Sequence, residues 1–202
     1  MAKPGWLIIN PNQGSGNGVI SNSASAHTGR IARTGVVTVT GVGVSTPATY
    51  KVTQEPKAEF VSYDNGAEMS APKEAGKVTI TGKSNSSKLT FSWLGESYSV
   101  DLPSTYSAGG LTTDNGVAIE GDIGANAEYT FSIELDFIKN DTIEEVVRTL
   151  VITANGGQAA QIRIVQAAGD ARLSVIPTEI TIPQDGSAVS VTVTSNTTWT
   201  VS

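Results

Sequence analysis

Apolar and polar residues alternate with a period of two along several short stretches of the chain. In "YTFSIELDF", Tyr129, Phe131, Ile133, Leu135 and Phe137 share one face, and Thr130, Ser132, Glu134 and Asp136 share the other. "KLTFSW" groups Leu89, Phe91 and Trp93, and "VSVTVT" groups Val189, Val191 and Val193. Successive side chains of an extended strand point to opposite faces, so the alternation predicts strands buried on one side. Turn-forming "DNG" at 64–66 and 114–116, "NGG" at 155–157 and "QDG" at 184–186 punctuate them. "NDTIEEVV" is short and acidic and reads as a loop or single turn between strands. An all-β protein is expected.

Composition narrows this further. The 202 residues are 39% hydrophobic and 16% charged, with Gly 21, which fits a folded, turn-rich β-protein. The net charge is −6 and no basic cluster stands out, so nucleic acid is not expected as a partner. Anionic membrane surfaces are disfavoured for the same reason. With Cys 0, disulfides, zinc–thiolate sites and thiol nucleophiles are excluded. "MAKPGWLIINPNQ" contains no apolar run of signal-peptide length, and no run is long enough to span a membrane. The expectation is synthesis in the cytoplasm without signal-directed export or membrane insertion. A secreted or cell-surface protein is the alternative if the chain is a fragment.

Two kinds of unit recur out of phase. "RTGVVTVTG" from Arg33 and "RTLVITANG" from Arg148 are each followed by a strand ending in glutamine, Gln54 and Gln166. Each is preceded by a Gly-rich turn, "NQGSGNG" at 12–18 and "GDIGANA" at 121–127. "GKVTITGKSN" and "GSAVSVTVTSN" share a Gly, a Val-Thr strand and a Ser-Asn ending at Asn85 and Asn196. Short strands precede both, "AEFVSYDNG" and "ARLSVIPTE". The order along the chain is second half, first half, second half, first half. Residues 1–56 thus read as the second half of a module, 57–168 as a complete module with an insertion near 95–116, and 171–202 as a first half.

These pieces resemble BACON-type modules, immunoglobulin-like β-sandwiches of Bacteroidetes and their tailed phages. The match rests on "LSVIPTEITIPQDGSAVSVTVTSNTTWTVS", on "WLIINPNQGSGNG" with "RTGVVTVTG", and on the closing "VTQ". The central module departs from the pattern, since "SNSSKLTF" lacks the Trp after Ser-Asn. The resemblance implies two immunoglobulin-like sandwiches, one continuous and one split between the chain ends. It also implies a role in carbohydrate binding or as a structural module of surface enzymes and phage particles.

A half-sandwich exposes its inner face and an open strand edge. The expected core of the split module is Trp6, Leu7, Ile9, Leu173, Val175, Val189, Val191, Val193 and Trp199, with Trp6 and Trp199 meeting. Closure between subunits, closure within the chain and an excised fragment are the three explanations. Head-to-tail donation builds rings or filaments. The leading expectation is therefore a structural protein on the exterior of a virion, a capsid decoration, head fibre or tail part. It would join other copies or another virion protein through the split module.

The runner-up is glycan binding through exposed aromatics of the insertion, Tyr98 and Tyr106. Catalysis is not expected: His27 is the lone histidine, in a turn, and no G-x-S-x-G elbow is present. The pair Glu134 and Asp136 reads as a solvated strand face. "DNG" at 114–116 and "NDT" at 140–142 lack calcium-loop spacing, and "GSGNG" at 14–18 has no following Lys. No cofactor or metal is expected.

Overall fold

The computed structural model describes residues 3–95 and 100–202. The centre of the chain carries β5 (Val61–Tyr63), β6 (Glu68–Ala71), β7 (Gly76–Ser84), β8 (Leu89–Trp93), β9 (Thr105–Ala108), β10 (Leu111–Asp114), β11 (Tyr129–Phe137), β12 (Val146–Ala154) and β13 (Ala159–Gln166). They form a five-stranded sheet in the order β10-β9-β11-β7-β5 and a four-stranded sheet in the order β6-β13-β12-β8. A short 3-10 turn spans Glu120–Ala125. Residues 138–145, "NDTIEEVV" among them up to β12, are loop.

The alternation read from the sequence sets which faces meet. Ile80, Ile133 and Leu135 from one sheet and Leu89, Leu150, Ile152, Ile162 and Ile164 from the other are at most 1% exposed, in one cluster. Phe131 crosses between the layers, edge-on to Tyr63 at 6.5 Å and to Phe91 at 6.2 Å. Each such aliphatic side chain contributes about 1.5–3 kcal/mol when fully buried, so this two-layer core holds the centre together. The architecture is all-β and sandwich-like.

Within the stretch near 95–116, residues 105–108 and 111–114 are strands of the five-stranded sheet. β9 pairs with β11, Phe131 opposite Ala108, and β10 completes an edge hairpin. The period-two rule therefore turns Tyr106 and Ala108 inward, and Tyr106 is 4% exposed. The expectation of an exposed Tyr106 is corrected by this pairing. Tyr98 lies outside the described residues.

The flanks are thinner. β1 (Leu7–Asn10) pairs with β2 (Ser21–Ala24), and β3 (Arg33–Val39) pairs with β4 (Ala48–Gln54), each as a separate two-stranded sheet. β14 (Leu173–Ile176) and β15 (Thr192–Ser195) form a third. Isolated hairpins are marginal in water. The flanks hold to opposite ends of β11. Thr28 Oγ1 accepts from Glu128 N at 3.1 Å, before the strand, while Arg172 reaches Asp141 at 2.9 Å, beyond it. Nine residues of strand, at about 3.4 Å each, separate the two contacts.

Within one chain that separation keeps Trp6 and Trp199 apart, so the meeting expected of them in a shared core is not made there. Trp6 is half-buried under the Arg33 guanidinium, 4.8 Å from the ring centroid. Trp199 is 50% exposed at the other end of the molecule.

Candidate assembly interface

The Ser-Asn motif explains how one end of the sandwich is joined to its neighbour. Asn85 follows β7 and is fully buried. Its Oδ1 accepts from Phe60 N at 3.0 Å, and its Nδ2 donates toward the carbonyls of Thr28, Lys57 and Ala58 at 3.2–3.3 Å. Ser84 Oγ donates to Phe60 O at 2.7 Å and accepts from Ser86 N at 2.9 Å. One amide thus ties the incoming chain, the start of the module and the preceding flank. An asparagine suits the task because it offers acceptor and donors at once.

The same arrangement recurs at the other end. Asn196 Oδ1 accepts from Arg172 N at 2.9 Å, and its Nδ2 donates to Asp141 O and Asp170 O at 2.9 Å each. Ser195 Oγ lies 3.0 Å from Arg172 O and accepts from Thr197 N at 3.1 Å. Ion pairs Lys73–Asp170, at 2.5 Å, and Arg172–Asp141 flank it. The hydrogen bond from Lys73 and its positive charge hold the Asp170 carboxyl below the usual carboxylate range.

Further pairs extend the repeat. His27 Nε2 donates to Ile31 O at 2.7 Å, and Asn140 Nδ2 donates to Glu144 O at 2.8 Å, each four residues on. Arg33 Nε donates to Gln54 Oε1, and Arg148 Nη1 donates to Gln166 Oε1. Gln54 Nε2 then donates to Ser25 O, and Gln166 Nε2 to Ile138 O. Strand register follows suit: Val61 faces Ser84 and Tyr63 faces Gly82, as Leu173 faces Ser195 and Val175 faces Val193. The sequence "EMSAPKEAGKVTITGKSN" at 68–85 lines up without gaps on "EITIPQDGSAVSVTVTSN" at 179–196.

What differs is completion. In the centre, β7 lies beside β11 and β8 beside β12. On the N-terminal flank, β2 and β3 occupy the places of β11 and β12, but among the described residues neither has a second strand neighbour. Between the β1–β2 loop and β3 lies a cleft of about 580 Å³ lined by Ile9, Pro11, Val19, Ile20, Val37 and Val39. Leu7 and Val37 are buried, yet Ile20 is 38% and Val39 41% exposed, where central Ile133 and Ala154 are buried. On the C-terminal flank the converse holds. Val189 and Val191 are about 40% exposed, and Leu173, Val175 and Ile182 are exposed too, whereas central Val78 and Ile80 are buried. Ile9 and Val193 are half-buried.

The residues named from sequence thus fall into two separate groups. Ile9 lines the cleft, with Leu7 in the same strand and Trp6 just before it, and Leu173, Val175, Val189, Val191 and Trp199 are exposed at the far end, where Val193 is half-buried. Sequence reading did not single out Asn85 and Asn196 as joints, although the repeated Ser-Asn was visible. Among the described residues, no three His, Asp or Glu side chains are grouped to hold a metal ion. Among them also, no helix is long and apolar enough to cross a membrane.

No family model matches the chain, and no curated protein does. Among solved structures, the chain is similar to a Bacteroides ovatus GH5 xyloglucanase in complex with a XXXG heptasaccharide, with 12% identity and a TM-score of 0.32. That likeness covers 55% of this chain and 19% of the xyloglucanase, so the chain spans a small part of its length. The NMR structure of a protein from Bacteroides thetaiotaomicron is similar at 18% identity and a TM-score of 0.30, over 56% of this chain and 90% of that one. Likenesses this distant define neither activity nor partner.

Proposed function

We propose that this is a structural assembly protein whose copies join by sharing a β-sandwich between chains. In this reading residues 57–168 are a continuous immunoglobulin-like module. Residues 1–56 and 171–202 are the two halves of another, completed by a neighbouring copy. The supporting observation is the open cleft between β1–β2 and β3–β4 at one end, with the uncovered Val189–Val191–Val193 face at the other. Within one chain the two stand at opposite ends of β11, so each half is supplied by a different copy. Burial of these side chains on joining supplies the drive, at about 25 cal/mol per Å² of apolar surface.

Donor and acceptor surfaces differ, so the contact is heterologous and propagates into a ring or filament. The setting we propose is the exterior of a virion or similar particle, where a chain of net charge −6 does not meet packaged nucleic acid. The glycan reading loses its described residue with the burial of Tyr106. Light scattering on the full chain across a concentration series tests the proposal. Masses should climb in multiples of 20.9 kDa. A monomer at every concentration would overturn it.

A further inference from the structure

The central sandwich contains the template for the shared one. There, β7 and β11 pair with Val78 opposite Leu135, Ile80 opposite Ile133 and Gly82 opposite Phe131. The gapless alignment of 68–85 on 179–196 carries Val78, Ile80 and Gly82 onto Val189, Val191 and Val193. The equivalence of His27 with Asn140 and of Ile31 with Glu144 carries Leu135, Ile133 and Phe131 onto Asn22, Ile20 and Gly18.

We propose that β15 and the residues before it, from a second copy of this chain, enter the cleft antiparallel to β2 with Val191 opposite Ile20. This rests on the exchange reading above and adds the partner's register. Val189 then faces Asn22, and Val193 faces Gly18, where no side chain competes for the space. The residues after Asn196 extend along β3 as β8 extends along β12. Leu89 stands opposite Ala154 and Phe91 opposite Ile152 in the centre. With the turn after Asn196 one residue shorter, Trp199 and Val201 take those places beside Val39 and Val37. A single-residue slip would turn every valine of the donor outward, so the register is strongly specified.

The joint between modules is then shared as well. Asn196 ties a donor's first half to its own central sandwich as Asn85 ties the central sandwich to the N-terminal flank. Successive sandwiches therefore follow one another through the same asparagine clamp, whether the junction falls within a chain or between chains. One side of the joint does not carry over. A Cβ at Gly29 would lie 2.3 Å from the Asn126 carbonyl carbon, and Thr142 stands in the equivalent place. The acceptor's loop Pro11–Gly16 must stand further from Thr142 than Gly124–Asn126 stands from Gly29.

The chain has no cysteine, so introduced pairs report cleanly. The test is oxidation of the full-length double variant Ile20→Cys/Val191→Cys in a mixture of ordinary and isotope-labelled chains. Directly opposed cross-strand positions are within disulfide range after small adjustment. The expected result is a disulfide joining the two peptides across differently labelled chains, formed several-fold more than in Ser21→Cys/Val191→Cys, where the thiols point to opposite faces. Equal yields from both pairs, or a bond only within one chain, would overturn the register. Oligomers by light scattering without this cross-link would leave exchange standing and the register refuted. A monomer throughout would remove both.

Discussion

Asn85 and Asn196 make the same set of contacts at opposite ends of the central sandwich: an Oδ1 accepting a backbone N–H at 2.9–3.0 Å, and an Nδ2 donating to carbonyls of both neighbouring segments. The difference is that Asn85 is sealed, while Asn196 belongs to a hairpin with an uncovered face. The joint at Asn85 is closed over, and the one at Asn196 is only partly so.

Removing the sealed amide should be costly. Asn85→Ala leaves Phe60 N and the carbonyls of Thr28, Lys57 and Ala58 without this partner, at about 1–3 kcal/mol for each group left unsatisfied away from water. The expected outcome is a lower urea midpoint with an unchanged slope. Asn196→Ala should leave the monomer's midpoint nearly unmoved and weaken self-association. Equal effects of the two variants on the monomer would contradict the distinction.

Tyr106 is a core residue. Its ring lies 4.9 Å from that of Phe91, and its hydroxyl accepts from Leu89 N at 3.2 Å. Tyr106→Ala should cost about 3–5 kcal/mol, as aromatic-to-alanine changes in cores do. Tyr106→Phe should cost about 1 kcal/mol, the hydrogen bond alone. Urea denaturation of the two variants checks this. An unchanged midpoint for the alanine variant would return the residue to the surface.

Burial raises the phenol pKa of Tyr63, Tyr106 and Tyr129 above the ordinary value of 10.0. A phenol whose folded pKa lies above its unfolded one contributes stability that is present below the unfolded value and lost as pH rises past it. The protein should therefore lose stability above pH 10, with phenolate absorbance from these three residues appearing together with loss of β circular dichroism. Their titration in a fully folded protein near the ordinary value would contradict the packing.

Trp199 should report assembly. It is half-exposed in the single chain and enters a core beside Val39 once accepted by another copy. Its emission should shift to the blue as concentration rises, and Trp199→Phe should remove the shift while the emission of Trp6 and Trp93 remains. A concentration-independent spectrum would speak against burial.

The strand with a buried face was legible in "YTFSIELDF" because its alternation is a direct imprint of a half-buried strand, whereas in "VSVTVT" only Thr192–Thr194 lie in a strand and Val189 and Val191 are exposed. The recurring Arg–Gln pairs and Ser-Asn motifs were legible because their flanking segments are long enough to align. Tyr106 was not. "TYSA" is short, with polar neighbours, and only its pairing to β11 shows which way the ring turns. Trp6 and Trp199 were named as members of one core, but sequence carries no distance, and within one chain β11 separates them. The Ser-Asn joint escaped because Ser and Asn mark turns far more often than buried clamps; its meaning needs both ends of the hydrogen bonds.

The central claim is that one chain's 171–202 completes another chain's 1–56, and mixed complementation tests it most directly. Val37→Asp spoils the cleft, and Val191→Asp spoils the donated face. Each variant alone should stay monomeric. Mixed, the intact cleft of one and the intact face of the other should give a complex of two unlike chains, about twice 20.9 kDa by light scattering, and no larger. A mixture that remains monomeric while the unmodified chain assembles, or single variants that assemble as well as it does, would contradict the claim.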